Sequence, residues 1–163
     1  MLSMDIATAI TDLVLETFRL NGALLASGDA LIADLGLTSA RWQVLGAIAY
    51  APQPLPVAHI ARNMGLTRQA VQRLVNEMAA DGLLDMAPNP HHRRAKLVIL
   101  TAAGHAVFEA AMARQKPWAE ALGRDLTAAD IDGARRVLAA LRSRLLLDDN
   151  TTEGESDGME EHV

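Results

Sequence analysis

The sequence contains no cysteine among its 163 residues. This absence excludes disulfides, thiolate zinc sites, iron–sulfur ligation and redox sensing through a thiol. No apolar run reaches the roughly 18 uncharged residues of a membrane-spanning helix. The first segment carries Asp5, Asp12 and Glu16, whereas a secretory signal peptide would be basic there. The expected location is therefore the cytoplasm, with no membrane partner.

Motifs of catalysis are missing as well. The chain has no glycine-rich phosphate loop, no nucleophile motif and no pair of carboxylates that would share a cleft. We therefore expect neither an enzyme nor a bound cofactor.

The charge of the chain is unevenly distributed. The formal net charge is -5, yet residues 57–105 hold 6 Lys and Arg against 3 Asp and Glu, a local charge of +3. Residues 148–163 hold 7 acidic residues and no basic one, so residues 1–147 together carry +2. A positive segment within an acidic chain permits contact with phosphates but does not by itself identify nucleic acid as the partner.

Long helices are predicted at both ends of the chain. Apolar residues recur every three or four positions from Ile6, and this predicts a first helix with a break near Gly28. A second helical region begins at Ala102, where Pro117 is expected to kink or end the helix and Thr127 to start another. The apolar faces of these helices exceed what a winged helix can cover, which favours burial against a second copy of the chain. The acidic segment 148–163 is predicted to be disordered.

The middle of the chain predicts a smaller unit with a β-hairpin. A helix begins at Leu37-Thr38-Ser39, and residues 52–56 are predicted to form a stiff proline-rich surface loop. Residues 83–86 and 97–100 suit two paired strands around a long polar tip. The predicted fold is thus mainly α with a small β-hairpin wing, a winged helix-turn-helix lobe between N- and C-terminal dimerisation helices.

A helix-turn-helix pattern runs from Ile60 to Leu74. Such a motif needs a small residue where its helices cross, here Ala61, and a residue that tolerates positive φ in its turn, here Gly65. Thr67 is a favourable N-cap for the second helix, which is predicted to extend to Met78. This helix is the predicted reader of the major groove of duplex DNA.

Polar side chains line the outward face of that second helix. Gln69, Gln72, Arg73 and Asn76 follow i, i+3, i+4 and i+7 spacing and therefore share one side. Gln and Asn can form two hydrogen bonds with adenine, and Arg can form two with guanine. The first turn and the hairpin add cations suited to phosphates. The predicted DNA-binding residues are Thr67, Arg68, Gln69, Gln72, Arg73, Asn76, Arg93, Arg94 and Lys96.

Two alternatives stay open at this stage. A metal-responsive regulator is the first, because imidazole is a common zinc ligand, but the five histidines form no HxxxH or HxxH pair. We therefore predict no metal site. The second is a winged helix that binds proteins without binding DNA, for which an apolar outward face would be expected in place of the polar one.

These motifs together resemble the multiple-antibiotic-resistance regulator (MarR) family of winged-helix transcription factors. The resemblance covers nearly the whole chain to about Leu147, and includes Asp81-Gly82-Leu83-Leu84 before the wing. The family's wing pattern is Asp, any residue, Arg, five residues and Leu-Thr. Arg94 and Leu100-Thr101 match it, but the acidic position holds His92. An ion pair that would orient Arg94 in the family is therefore absent.

The resemblance implies one domain over residues 1–147, with a DNA-binding lobe at 37–101 and dimerisation helices at 1–36 and 102–147. It further implies a homodimer on a pseudo-palindromic operator, its half-sites about 10–10.5 bp apart. A repressor released by a small aromatic or phenolic effector is the expected mode of regulation. The effector pocket in such proteins lies between the lobe and the dimer helices, where Phe18 and Trp42 are the candidate walls.

Overall fold

Helices make up most of the chain in a computed structural model, which describes the backbone of residues 5–153 and the side chains of residues 5–146. The helices are α1 (Ile6–Ile32), α2 (Ser39–Ala49), α3 (Val57–Met64), α4 (Arg68–Ala80), α5 (Ala102–Leu122) and α6 (Ala128–Glu153), with a 3-10 turn at Ala33–Leu35. The strands are β1 (Leu55–Pro56), β2 (Leu84–Ala87) and β3 (Leu97–Leu100). The mainly α fold with a small wing is confirmed.

The three strands form one antiparallel sheet in the order β1-β3-β2. The predicted hairpin is β2 paired with β3, with Leu84 opposite Leu100 and Ala87 opposite Leu97. Strand β1 was not predicted, because its two residues belong to the segment interpreted as a proline-rich loop. Leu55 nevertheless pairs with Val98 and Pro56 with Leu97. Proline is tolerated there because β1 is an edge strand, whose outer side needs no N–H donor.

A single cluster of apolar side chains holds the helix-turn-helix against the sheet. It lies between α2, α3, α4 and β3, and Phe108 and Ala111 of α5 also join it. Its fully buried members of larger volume are Ile32, Val44, Leu45, Ile60, Val71, Val75, Met78 and Val98.

Helix α1 continues through Gly28 without the predicted break. Gly28 is buried because the start of α2 lies against it, and a β-carbon at this position would be 2.6 Å from the Ser39 hydroxyl. Ser39 donates its amide hydrogen to the Asp29 carboxylate at 2.6 Å and its hydroxyl hydrogen to the Leu25 carbonyl at 2.9 Å. Glycine at position 28 therefore permits close contact between two helices.

Helix α5 likewise does not end at Pro117, and it extends to Leu122. Proline in a helix removes one hydrogen bond and costs about 3 kcal/mol. Contacts on both sides of Pro117 hold this part of α5 in place: Arg114 forms an ion pair with Asp34, and the Trp118 indole donates a hydrogen bond to the Ser27 hydroxyl at 2.9 Å.

The chain divides into two compact units, residues 1–118 and 119–163. In the second unit, α6 starts as predicted: the Thr127 hydroxyl accepts from the Asp130 amide at 3.2 Å, and the Asp130 carboxylate accepts from the Thr127 amide at 3.0 Å. The backbone of residues 148–153 belongs to α6, and the disorder expected for the acidic segment 148–163 stays a prediction. Residues 154–163 lie outside the described residues.

Within residues 5–153, no single helix has the length and apolar character to cross a membrane. One pair of helices, Ile6–Leu35 and Ser39–Ala49, meets both criteria only when taken together, and it is bent by 82°.

The contact between α1 and α2 makes stability depend on pH. The hydrogen bond that the Asp29 carboxylate accepts from the Ser39 amide lowers the pKa of Asp29 from its ordinary value. A lowered pKa in the folded state stabilises the protein above the unfolded value of about 3.9, and this stabilisation is lost as the pH falls through the folded value.

We therefore expect Asp29→Asn to lower the thermal midpoint at neutral pH, since a carboxylate accepts this hydrogen bond more strongly than an amide. The difference from the unsubstituted protein should shrink as the pH is lowered below about 4. Thermal unfolding at a series of pH values measures this. The matched change Asp12→Asn, at an exposed position of α1, should lower the midpoint less at neutral pH. Equal effects of the two changes would contradict the role given to Ser39.

Candidate nucleic-acid interface

The turn between α3 and α4 is built as the sequence pattern requires. Gly65 ends α3 with φ of 65°, and the Leu66 amide donates to the Ala61 carbonyl at 3.0 Å. A residue with a β-carbon would cost about 1–2 kcal/mol in this left-handed conformation. The Thr67 hydroxyl then accepts from the Ala70 amide at 3.2 Å and caps α4. The predicted helix-turn-helix and its N-cap are confirmed.

The inner face of α4 determines which residues face outward. Val71, Val75 and Met78 are each fully buried in the core. Because successive residues turn by about 100° around a helix, these three share one side. The predicted base-reading residues therefore lie on the opposite side, where Gln72 is half-buried and the others are exposed.

Two contacts along this outward face were not predicted. Gln72 donates its side-chain amide hydrogen to the Asn76 carboxamide oxygen at 2.9 Å, so these two amides orient each other. Arg73 lies 3.9 Å from the Glu77 carboxylate, and both side chains are exposed. An exposed pair of this kind contributes about 0–1 kcal/mol, so it leaves Arg73 free to change partner.

A groove of about 640 Å³ lies between the start of α4 and the wing. Arg68 and Gln72 line one side of it. The wing tip, residues 88–96 between β2 and β3, lines the other side through residues 89–96, together with Leu97. None of the described residues that line it is acidic. Its cations and histidines are Arg68, Arg93, Arg94, Lys96, His59, His91 and His92. The structure thus brings the four cations predicted to contact phosphates onto one concave surface.

The wing tip has an internal support that sequence reasoning missed. Asn89 accepts from the His91 amide at 3.0 Å and donates to the Ala95 carbonyl at 2.8 Å. The Ala95 amide donates to the His92 carbonyl at 3.1 Å. The available signal was an asparagine between two prolines, a residue type that bonds nearby backbone in turns. Among the described side chains, no carboxylate forms an ion pair with Arg93 or Arg94.

The C-terminal end of α4 is tied to the start of α2, a second contact that was not predicted. Arg41 forms an ion pair with Asp81, the residue that follows α4, and donates to the Gly36 carbonyl at 3.1 Å. The Arg41 side chain is only 17% exposed, which limits its freedom to move. Helix α4 is thus held at its first turn by Thr67 and at its end by Arg41.

The proposed effector residues lie in different environments. Phe18 is 70% exposed on α1, whereas Trp42 is half-buried against the core. Neither residue lines the groove described above or the shallower one beside Tyr50 and Met64. The structure does not bring Phe18 and Trp42 into one cavity there, so their role stays a prediction.

The histidines do not form a recognisable metal centre in the described part of the chain. No group of three or more His, Asp or Glu side chains lies close enough there to hold an ion. His59, His91 and His92 instead line the groove, and His162 lies outside the described residues.

Comparison with known proteins identifies the family. A family model described as the MarR family matches residues 35–95. An uncharacterized protein of Mycobacterium tuberculosis is 36% identical over 138 residues, which is 82% of this chain and 95% of that protein. The chain belongs to the MarR family. It is a winged-helix transcription regulator that binds DNA.

Further relatives agree with this assignment. The transcriptional activatory protein BadR of Rhodopseudomonas palustris is 32% identical over 85 residues, 51% of this chain and 49% of BadR. A MarR variant from E. coli, solved with operator DNA, has 22% identity and a TM-score of 0.72, covering 84% of this chain and 98% of MarR. CouR of Rhodococcus jostii, solved with p-coumaroyl-CoA, has 24% identity and a TM-score of 0.68, covering 85% and 95%. These two structures share the fold of this MarR-family protein.

Proposed function

We propose that this MarR-family protein binds a pseudo-palindromic operator as a homodimer and represses transcription until a small aromatic or phenolic effector releases it. The observation that carries the DNA-binding part is the groove between α4 and the wing, whose described lining holds four cations and no acidic side chain. A concave surface of one charge raises the local concentration of a polyanion. The outward face of α4 continues from this groove through Arg68 and Gln72, which line both.

The side chains divide into two roles in this proposal. Arg68, Arg93, Arg94 and Lys96 contact phosphates, together with Thr67 at the N-terminus of α4, and they set the position of the protein on the duplex. Gln69, Gln72, Arg73 and Asn76 contact base edges in the major groove. The Gln72–Asn76 hydrogen bond supports this assignment, because it orders two side chains before DNA is bound.

Unpaired apolar surface on the helices supports the homodimer. On α1, seven large apolar side chains are exposed: Ile6, Val14, Leu15, Phe18, Leu20, Leu24 and Leu25. Among the side chains described in the second unit, those of residues 119–146, seven more are exposed: Leu122, Leu126, Ile131, Val137, Leu138, Leu145 and Leu146. A second copy of the chain is the occupant that we assign, with 1–36 and 102–147 as dimerisation helices of a domain at 1–147. Two lobes at 37–101 would then contact two half-sites.

The effector is proposed to be a small aromatic molecule, and its binding is proposed to relieve repression. CouR has been solved with p-coumaroyl-CoA, which makes an aromatic ligand a reasonable class for this chain. Phe18 offers an exposed aromatic ring, and Trp42 lies part-way into the core. Repression released by the ligand is the simplest outcome if the ligand favours a dimer whose recognition helices do not fit the operator.

DNA binding can be tested before the operator is known. A mobility shift on a mixed-sequence duplex and on the protein's own promoter region should weaken steeply between low and moderate salt, because phosphate contacts release counterions. Absent binding, or binding that salt does not change, would contradict the proposed function.

Arg73→Ala should weaken binding to the specific site more than binding to mixed-sequence duplex. A good bidentate contact to a base contributes about 1–3 kcal/mol of discrimination, and this contribution disappears on the specific site alone. The matched control is Arg124→Ala, in the loop between α5 and α6, which should leave the ratio of the two affinities unchanged. Equal losses on both duplexes would show that Arg73 contacts the backbone instead.

Leu138→Glu should shift the protein toward monomer in sedimentation velocity, because it places a charge within the apolar face of α6. Ser143→Glu adds the same side chain to the opposite face of α6 and should leave the protein dimeric. Loss of the dimer in both variants, or in neither, would contradict the assignment of this face.

p-Coumaroyl-CoA is the first probe for the effector site. It should lower the affinity of the unsubstituted protein for its specific duplex, and Phe18→Ala should reduce this response. Tyr50→Ala removes another exposed aromatic ring, at the end of α2, and should leave the response intact. If p-coumaroyl-CoA lowers the DNA affinity of the unsubstituted protein and of both variants equally, Phe18 is not part of the effector site.

A further inference from the structure

The conformational entropy of the wing tip opposes its use as a DNA-binding surface. Residues 88–96 connect β2 to β3 and carry three of the four cations in the groove, Arg93, Arg94 and Lys96. Fixing the backbone of each residue costs about 1–2 kcal/mol of conformational entropy, so a loop of this length needs internal bonds to hold one shape. Ordering it only on DNA would subtract that cost from the binding energy.

Asn89 supplies those bonds through both atoms of its carboxamide. The oxygen accepts from the His91 amide at 3.0 Å, and the nitrogen donates to the Ala95 carbonyl at 2.8 Å. The second bond joins the start of the tip to its end. Within this ring, the Ala95 amide donates to the His92 carbonyl at 3.1 Å, so Arg93 and Arg94 are enclosed between bonded residues.

The carboxamide of Asn89 is suited to forming both of these hydrogen bonds. A carboxamide has a donor and an acceptor, whereas a carboxylate can only accept and an alanine can do neither. It is also uncharged, so it adds no negative charge beside the two arginines. His92 contributes its backbone carbonyl to the tip. A histidine side chain at this position is therefore compatible with an ordered wing.

We propose that Asn89 is the positioning residue of the wing, which orients Arg93 and Arg94 toward phosphates by closing the tip. The inference rests on the proposed contact between wing and DNA and names a residue that controls it. Because the support is a pair of neutral hydrogen bonds, salt does not screen it as it screens an exposed ion pair.

The test compares four proteins on a mixed-sequence duplex over a range of salt. Asn89→Ala should weaken binding by about tenfold and lower the salt slope by about 0.9 for each phosphate that the wing no longer neutralises. The double change Arg93→Ala with Arg94→Ala should do at least as much. Asn63→Ala removes the same side chain from α3, where it lines the groove beside Tyr50, and should have no effect.

The decisive variant adds Asn89→Ala to the double arginine change. If Asn89 acts through Arg93 and Arg94, it should cause no further loss of affinity once they are gone, so the effects will be non-additive. Full additivity would overturn the proposal, because Asn89 would then contact DNA itself. An Asn89→Ala variant with unchanged affinity and slope would also overturn it.

A second measurement needs no DNA and separates this inference from the proposed function. In the free protein, Asn89→Ala should speed hydrogen exchange at the His91 amide, while Asn89→Asp, which keeps the acceptor, should leave that amide protected. Unchanged exchange in Asn89→Ala would refute the support given by Asn89. If the unsubstituted protein fails to bind DNA yet exchange behaves as expected, the proposed function is wrong, and what remains is the ordering of the tip by Asn89.

Discussion

Burial of one face of α4 is the constraint on which the interface depends. Val71, Val75 and Met78 are fully buried, and each contributes about 1.5–3 kcal/mol relative to an exposed side chain. Rotation of the helix by one residue position, about 100°, would expose part of this face and bury polar groups without partners. The orientation of Gln69, Arg73 and the rest of the outward face is therefore a consequence of apolar packing, before any contact with DNA.

Features set by neighbouring residues could be predicted from the sequence. The helix-turn-helix depends on Gly65 for its left-handed turn and on Thr67 for its cap, and both act within a few residues of their partners. The start of α6 depends on Thr127 and Asp130 in the same way. The hairpin strands were predicted for a similar reason, since two short apolar segments flank one polar tip within about 18 residues of chain.

Features set by distant residues could not be predicted. Gly28 suggests a break in α1 unless its contact with Ser39 is known. Pro117 suggests the end of α5, and the sequence does not reveal that Arg114 bonds to Asp34 in the turn after α1 and Trp118 to Ser27 near the end of α1. Pattern rules treat Pro56 as a loop residue because the strand that it pairs with is far along the chain. The pairing of Arg41 with Asp81 spans a comparable separation. Each error thus arises where a tertiary contact outweighs a local preference.

The wing shows how an acidic chain can present a basic surface. The net charge is -5, but charges more than a Debye length apart, about 10 Å at 0.1 M salt, act almost independently. The sign of the charge in the groove therefore depends on the side chains that line it, and those described include four cations and no carboxylate. An acidic residue at position 92 would order the wing at the expense of that local charge. Asn89 forms neutral hydrogen bonds within the wing, so it places no negative charge beside Arg93 and Arg94.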